Sequence, residues 1–407
     1  MWYLSLLLTL SVVSCDPFET VFSWKQVAYN FPNDSVLNAY KASDDYIEGN
    51  NVPLGMNVWG DKLFITVPRW KKGVASNLNY ISLSDAASAK DTSPLLNPYP
   101  DWESNDIHSP DALVNILRVR VDACDRLWGV DSGVDDILGE FKQVQPKKLI
   151  AIDLKTNKII LKYTFKDSDI KSDTFFADTV IDVDPKNCSD AYVYNSDLGA
   201  YGLVVYSLAK NDSWRISHNY FHIDPLNSDF NVSGLTFQWT DGVFGLALSP
   251  PKEDGSKTLY FHSMAGIHEF YVSTSILKNQ TALADPRVWT EFHIAGNKGP
   301  MTQGTSSMYD PETGIIYFAL VNKNAVACWD TKKELNPDNF RIVAKNEETL
   351  VFPNDIIIEP KTRKFYCLAD KLPIFMYSKY NIESTNFYIH SASLDDLTAI
   401  CRNEKKE

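Results

Sequence analysis

The 407-residue chain lacks the short patterns that mark hydrolytic or metal-dependent chemistry. It has no Gly-x-Ser-x-Gly elbow to present a nucleophilic serine, no His-Glu-x-x-His pair and no cysteines at zinc spacing. Those absences exclude α/β-hydrolases, zincins and zinc ribbons. The seven histidines are scattered; His218 and His222 stand four apart, but in a loop-like stretch that reads as a solvated face. A basic excess is missing as well: 39 Lys and Arg face 52 Asp and Glu, for a net charge of −13. Such a balance excludes a nucleic-acid binder and disfavours docking on anionic membranes. It favours solubility and draws cationic ligands. No motif calls for a cofactor or a resident metal. Calcium would need converging carboxylates, which Asp178, Asp355 and Asp370 could supply, although their spacing does not demand it.

Long apolar runs are also lacking. Residues 4–13 form an uncharged stretch too short to span a bilayer, and small residues follow it. Val13 and Cys15 would sit at −3 and −1 of a cut before Asp16. Residues 1–15 therefore read as a secretory signal peptide, although without the usual basic start. The string Val12-Val13-Ser14-Cys15 also resembles a lipoprotein box. The expected product is a secreted, extracellular single domain over 16–407, with a monomer as the expected state.

Removal of Cys15 leaves Cys124, Cys188, Cys328, Cys367 and Cys401. In an oxidising compartment these form disulfides and leave one thiol over. Sequons begin at Asn33, Asn187, Asn211, Asn231 and Asn279; glycan is expected at Asn33, Asn211, Asn231 and Asn279, whereas Asn187 adjoins Cys188.

What the chain does have is a recurring hairpin: an apolar strand, a tight polar turn and an aromatic-bearing strand. It is read at 55–67, 117–131, 179–197, 245–263, 306–320 and 355–370, at intervals of about sixty residues. A further β-rich run follows each: LNYISL, LIAIDL, LVVYSL, HEFYVS, AVACWDT and PIFMYS. Six units, each burying a face only by packing on its neighbours, predict an all-β, six-bladed propeller with disulfide-tied blades. A pair of β-sandwiches is the competing architecture. Cys124 and Cys188 fall in the turns of adjacent units, where a bridge is sterically sensible. A Cys328–Cys401 bridge would tie the chain end to the ring, leaving Cys367 as a buried free thiol. Residues 22–29 have strand character and are placed to complete the last blade.

Several strings resemble the yellow and major royal jelly proteins, in order along nearly the whole chain. They are FSWKQVAYNFP, LFITVPRW, LNPYPDW, VDACDRLWGVDSG, DGVFGLALSP, AVACWDT, NEETLVFPNDI and LADKLPIFMY. LFITVPRW and the FPND and LADKLP strings look more like the insect yellow branch. The resemblance implies a six-bladed propeller, secretion and the two disulfides named above. Family members include pigmentation proteins, dopachrome-converting enzymes, amine-binding salivary proteins and storage proteins, so the resemblance implies no single activity.

In a propeller, residues beginning the first strand or ending the second of each unit face the central channel. These are Phe352, Asn354 and Asp355, then Asp370 and Leu372, with Asn57, Asp178, Phe244 and Ser306 from other units. Amine-binding relatives carry Phe-x-Thr and Asn-x-Phe segments there; this chain has Phe352-Pro353-Asn354 and Asp370-Lys371-Leu372. The first aromatic wall stays, the hydroxyl becomes an amide, and a carboxylate replaces a neutral amide. A carboxylate suits an ammonium and a phenylalanine can stack on a ring, so a small aromatic amine, catechol or indole metabolite is the expected ligand. Two alternatives stand beside binding. One is a dopachrome isomerase with Asp370 or Asp355 as base and Asn354 or Lys371 as donor. The other is a structural or storage role. Asp131 in VDSG reads as a blade-stabilising residue.

Overall fold

The computed structural model describes residues 17–404; the signal-peptide reading over 1–15 lies outside them. Six four-stranded antiparallel sheets are arranged as the blades of a propeller. Their innermost strands are Met56–Trp59, Ile116–Val121, Phe176–Asp184, Val243–Leu248, Gly304–Asp310 and Pro353–Glu359, for blades one to six. Each pairs with the second strand of an expected hairpin: Lys62–Thr66, Arg126–Asp131, Asn187–Asp197, Thr258–Ser263, Ile315–Leu320 and Lys364–Ala369.

Burial follows position in the blade. In blade two the second strand, Arg126–Asp131, is buried throughout, because neighbouring blades cover both its faces. The outermost strand, Lys158–Thr164, alternates exposed and half-buried residues, as a half-solvated edge requires. Asp131 is spent on structure: its carboxylate accepts from the backbone N–H groups of Val114, Asn115 and Gly133 at 2.8–2.9 Å.

Ring closure uses the first strand among the described residues. Glu19–Trp24 pairs antiparallel with Phe387–Ser393 as the outer strand of blade six. The expected segment, 22–29, is shifted: the chain leaves the sheet after Trp24, and Tyr29 instead bridges Leu96. A second correction concerns PIFMYS at 373–378, expected as a strand. Leu372–Tyr377 is a helix opened by Pro373, and the third strand of blade six is Phe387–Ser393. Proline fits a helix's first turn, where its missing N–H costs nothing, but would have removed a sheet donor.

Two disulfides tie the ring. Cys124, in the blade-two turn, joins Cys188, the second residue of the blade-three strand Asn187–Asp197. Cys328, on the third strand of blade five, joins Cys401 in the helix Leu394–Arg402. That helix buries Leu394, Leu397, Thr398 and Cys401, a stripe at helical spacing, with Ser393 accepting from the Asp396 N–H as its N-cap. Cys367 is free and buried.

Candidate functional site

The innermost strands deliver an ion-pair cluster to the propeller axis. Arg118 and Arg120 are two apart on one strand, so both point the same way. The Arg120 guanidinium donates to Asp355 Oδ1 and Oδ2 at 2.8 and 3.0 Å and to Ser306 Oγ at 3.2 Å, and it lies 2.9 Å from Asp178 Oδ1. Asp355 also accepts from the Met56 N–H at 2.9 Å. Arg118 donates to the carbonyls of Ala177 and Asn354 at 2.9 and 2.7 Å, and to Asn354 Oδ1. Its Nε is 3.6 Å from Asp355 Oδ1, and its Cζ sits 4.7 Å from the centroid of the Phe244 ring. One cluster thus touches all six innermost strands. Burial pulls both guanidinium groups down; at Arg120 the carboxylates of Asp178 and Asp355 outweigh it and leave the group raised, while Arg118 stays lowered. Asp178 is held above the usual carboxylate range by burial, partly offset by the two arginines.

This axial pin separates two hollows. On one side, Arg118 forms part of the floor of a cup of about 340 Å³. On the other, Arg120 lines a wider hollow together with Asn57 and Trp59. The channel is therefore plugged at its waist. Asp178 and Asp355 are both paired with Arg120. Among the described residues, no group of three or more His, Cys, Asp or Glu is placed to hold a metal ion.

The cup has apolar walls. Phe244, Phe352 and Leu372 line it, and Asn354 sits beside Arg118 at its base. Phe352 holds a left-handed backbone with φ 55°, a costly conformation for an aromatic residue that places its ring 5.8 Å edge-on to Trp239. Trp239 follows an inserted hairpin, Asp229–Val232 with Leu235–Gln238, and Tyr377 ends the inserted helix of blade six. Trp239 Nε1 donates to Tyr377 Oη at 2.6 Å across the mouth.

Asp370 stands behind this wall, not in it. Its carboxylate accepts from Asn354 Nδ2 at 2.7 Å and from the Leu372 N–H at 3.0 Å. Burial pushes it up to about 8 despite those bonds. Of the site residues read from the sequence, Phe244, Phe352, Asn354 and Leu372 meet in the cup. Asp178, Asp355 and Ser306 meet in the pin, Asn57 faces the opposite hollow, and Asp370 lies enclosed. Lys371 turns away, donating to the Thr385 carbonyl at 2.9 Å.

Sequence reasoning missed Arg118, Arg120, Trp239, Asp241 and Tyr377. The arginines had a legible signal, two charges alternating with Leu117, Val119 and Val121 inside an apolar inner strand. Trp239 follows an inserted hairpin whose return to the axis no local pattern shows, and Asp241 opens the DGVFGLALSP string without a sign that it faces the cup.

The family model described as Major royal jelly protein matches residues 114–401. The chain belongs to the major royal jelly protein family. Within it, the chain is 38% identical over 401 residues to Protein yellow of Drosophila melanogaster, covering 97% of this chain and 73% of that protein. Protein yellow of Drosophila simulans matches to the same extent. Among solved structures, a luciferin-regenerating enzyme covers 84% of this chain and 91% of its own, at 9% identity and a TM-score of 0.44.

Proposed function

We propose that this member of the family is a secreted propeller that holds a small aromatic metabolite, a catechol or indole such as a biogenic amine, in the cup above the axial pin. Its service would lie in pigmentation or amine handling. The observation that carries the reading is the cup itself. It is closed at the base by the pin, walled by Phe244, Phe352, Leu372 and Trp239, and its volume falls in the range of small-ligand pockets. An open cup of this kind speaks against a storage protein whose centre is filled by side chains. Titration calorimetry with dopamine, serotonin and noradrenaline tests it. Binding that Phe352→Ala weakens supports the proposal, and no heat at millimolar ligand overturns it.

Secretion fits two disulfides and the exposed sequons. At Asn33, Asn211, Asn231 and Asn279 the side-chain oxygen accepts a hydrogen bond, and no partner engages Nδ2 among the described residues. The amide nitrogen to which a glycan attaches is thus free at all four.

One observation favours dopachrome isomerisation as a second reading. Asp370, pushed up to about 8 by burial, accepts from Asn354 Nδ2, so a carboxyl able to carry a proton stands directly behind an amide at the base of the cup. Dopachrome absorbance decaying no faster than in buffer would remove it.

A further inference from the structure

Among the described residues Asp241 is the one carboxylate lining the cup. Every other acid near the axis is engaged: Asp178 and Asp355 by Arg120, Asp370 by Asn354 and the Leu372 N–H. Among the described residues nothing bonds or pairs with the Asp241 side chain. Its backbone is fixed, since its carbonyl accepts from the Ala265 N–H at 3.0 Å just before the innermost strand of blade four. Three residues on, Phe244 presents its ring to the same cup. Burial alone holds the Asp241 carboxyl up at about 7, with no charged neighbour contributing. A carboxylate left without a counter-charge among apolar walls is costly, and a cation brought by the ligand would recover that cost. Arg118, the nearby cation, is already matched by Asp355 and two backbone carbonyls.

We infer that Asp241 sets the specificity of the cup by pairing with the ammonium group of an aromatic amine, selecting it over neutral or acidic molecules with the same ring. The inference rests on the reading that the cup holds an aromatic metabolite. It moves the ionic contact away from the positions the family resemblance implied: 352–354 and 370–372 supply apolar wall and an amide, and the anion comes from the first residue of the DGVFGLALSP string. Phe352, Trp239 and Phe244 hold the ring; Asp241 reads the side chain.

The test uses three catechols of one ring: dopamine (cationic), 4-ethylcatechol (neutral) and 3,4-dihydroxyphenylacetate (anionic). Each is titrated by calorimetry into the full chain at pH 7.5 and into Asp241→Asn. The wild type should bind dopamine about tenfold more tightly than 4-ethylcatechol, the scale of one charge-assisted contact, and the acid least. Asp241→Asn should erase the dopamine advantage while leaving 4-ethylcatechol within about twofold. Equal affinities in the wild type, or a preference that survives in Asp241→Asn, overturn the assignment while the cup reading stands. No binding of any of the three overturns both. Should the variant fail to fold, the ligand order in the wild type still decides.

Discussion

Arg120 and Asp355 lie 235 positions apart in the chain and meet at the propeller axis through two hydrogen bonds of 2.8 and 3.0 Å. The pair is fully enclosed, and Met56 and Ser306 add hydrogen bonds from blades one and five. It braces Arg118, whose Nε lies 3.6 Å from Asp355 Oδ1 at the base of the cup, and couples the blades that build it.

Breaking that pair by one partner leaves the other charge buried and unmatched. Arg120→Leu should therefore cost on the order of 3–5 kcal/mol, measured by urea unfolding. Arg120→Lys keeps the charge but not the fork geometry and should fall between. A loss under 1 kcal/mol for Arg120→Leu would show that the pin contributes little.

Removing the bridge between Cys328 and Cys401 should lower stability by about 2–4 kcal/mol, because it closes a long loop in the unfolded chain. Cys328→Ala with Cys401→Ala, compared with the wild type by thermal melting, checks this. Replacing Cys367, which is in no bridge, with Ala should leave both disulfides intact on mapping.

Asp370 predicts a direction for pH dependence. Its folded value of about 8 stands above the ordinary 3.8. The folded chain therefore keeps a proton that the unfolded chain releases. That contribution is fully present below pH 4, declines as pH rises between the two values, and is gone above 8. The melting temperature of Asp370→Asn relative to the wild type should rise across pH 5–8. A difference that is flat or falls with pH contradicts the assignment.

The Trp239–Tyr377 hydrogen bond spans the mouth of the cup. Tyr377→Phe removes the acceptor, and bound amine should leave several-fold faster in stopped-flow fluorescence, about the scale of one hydrogen bond. An unchanged release rate would show that the mouth opens without breaking that contact.

The ring was legible in the sequence because a strand's two-residue period writes burial directly onto the chain, six times over. The hairpin from Asp122 to Asp131 shows why: Leu127 and Trp128 are buried on both faces between blades, around a turn that the cysteine at 124 marks. The PIFMYS segment misled because a short apolar run has the same composition in a buried helix as in a buried strand. Only Pro373 carried the distinction. The site was half legible. Its walls, Phe352 and Leu372, flank strands that could be counted. Asp355 and Asp370 could be placed near the axis but not told apart from Asp241, because which carboxylate meets an arginine depends on contacts between distant blades.

The strand Glu19–Trp24 finds its partner, Phe387–Ser393, only at the far end of the chain. Among the described residues the first strand in the chain is the last to find its partner. Until the sixth blade exists, the edge of Glu19–Trp24 must wait, able to pair with another molecule. Assembly of this protein is thus exposed to intermolecular strand exchange at that edge until the sixth blade forms, and the risk ends in a single closing step.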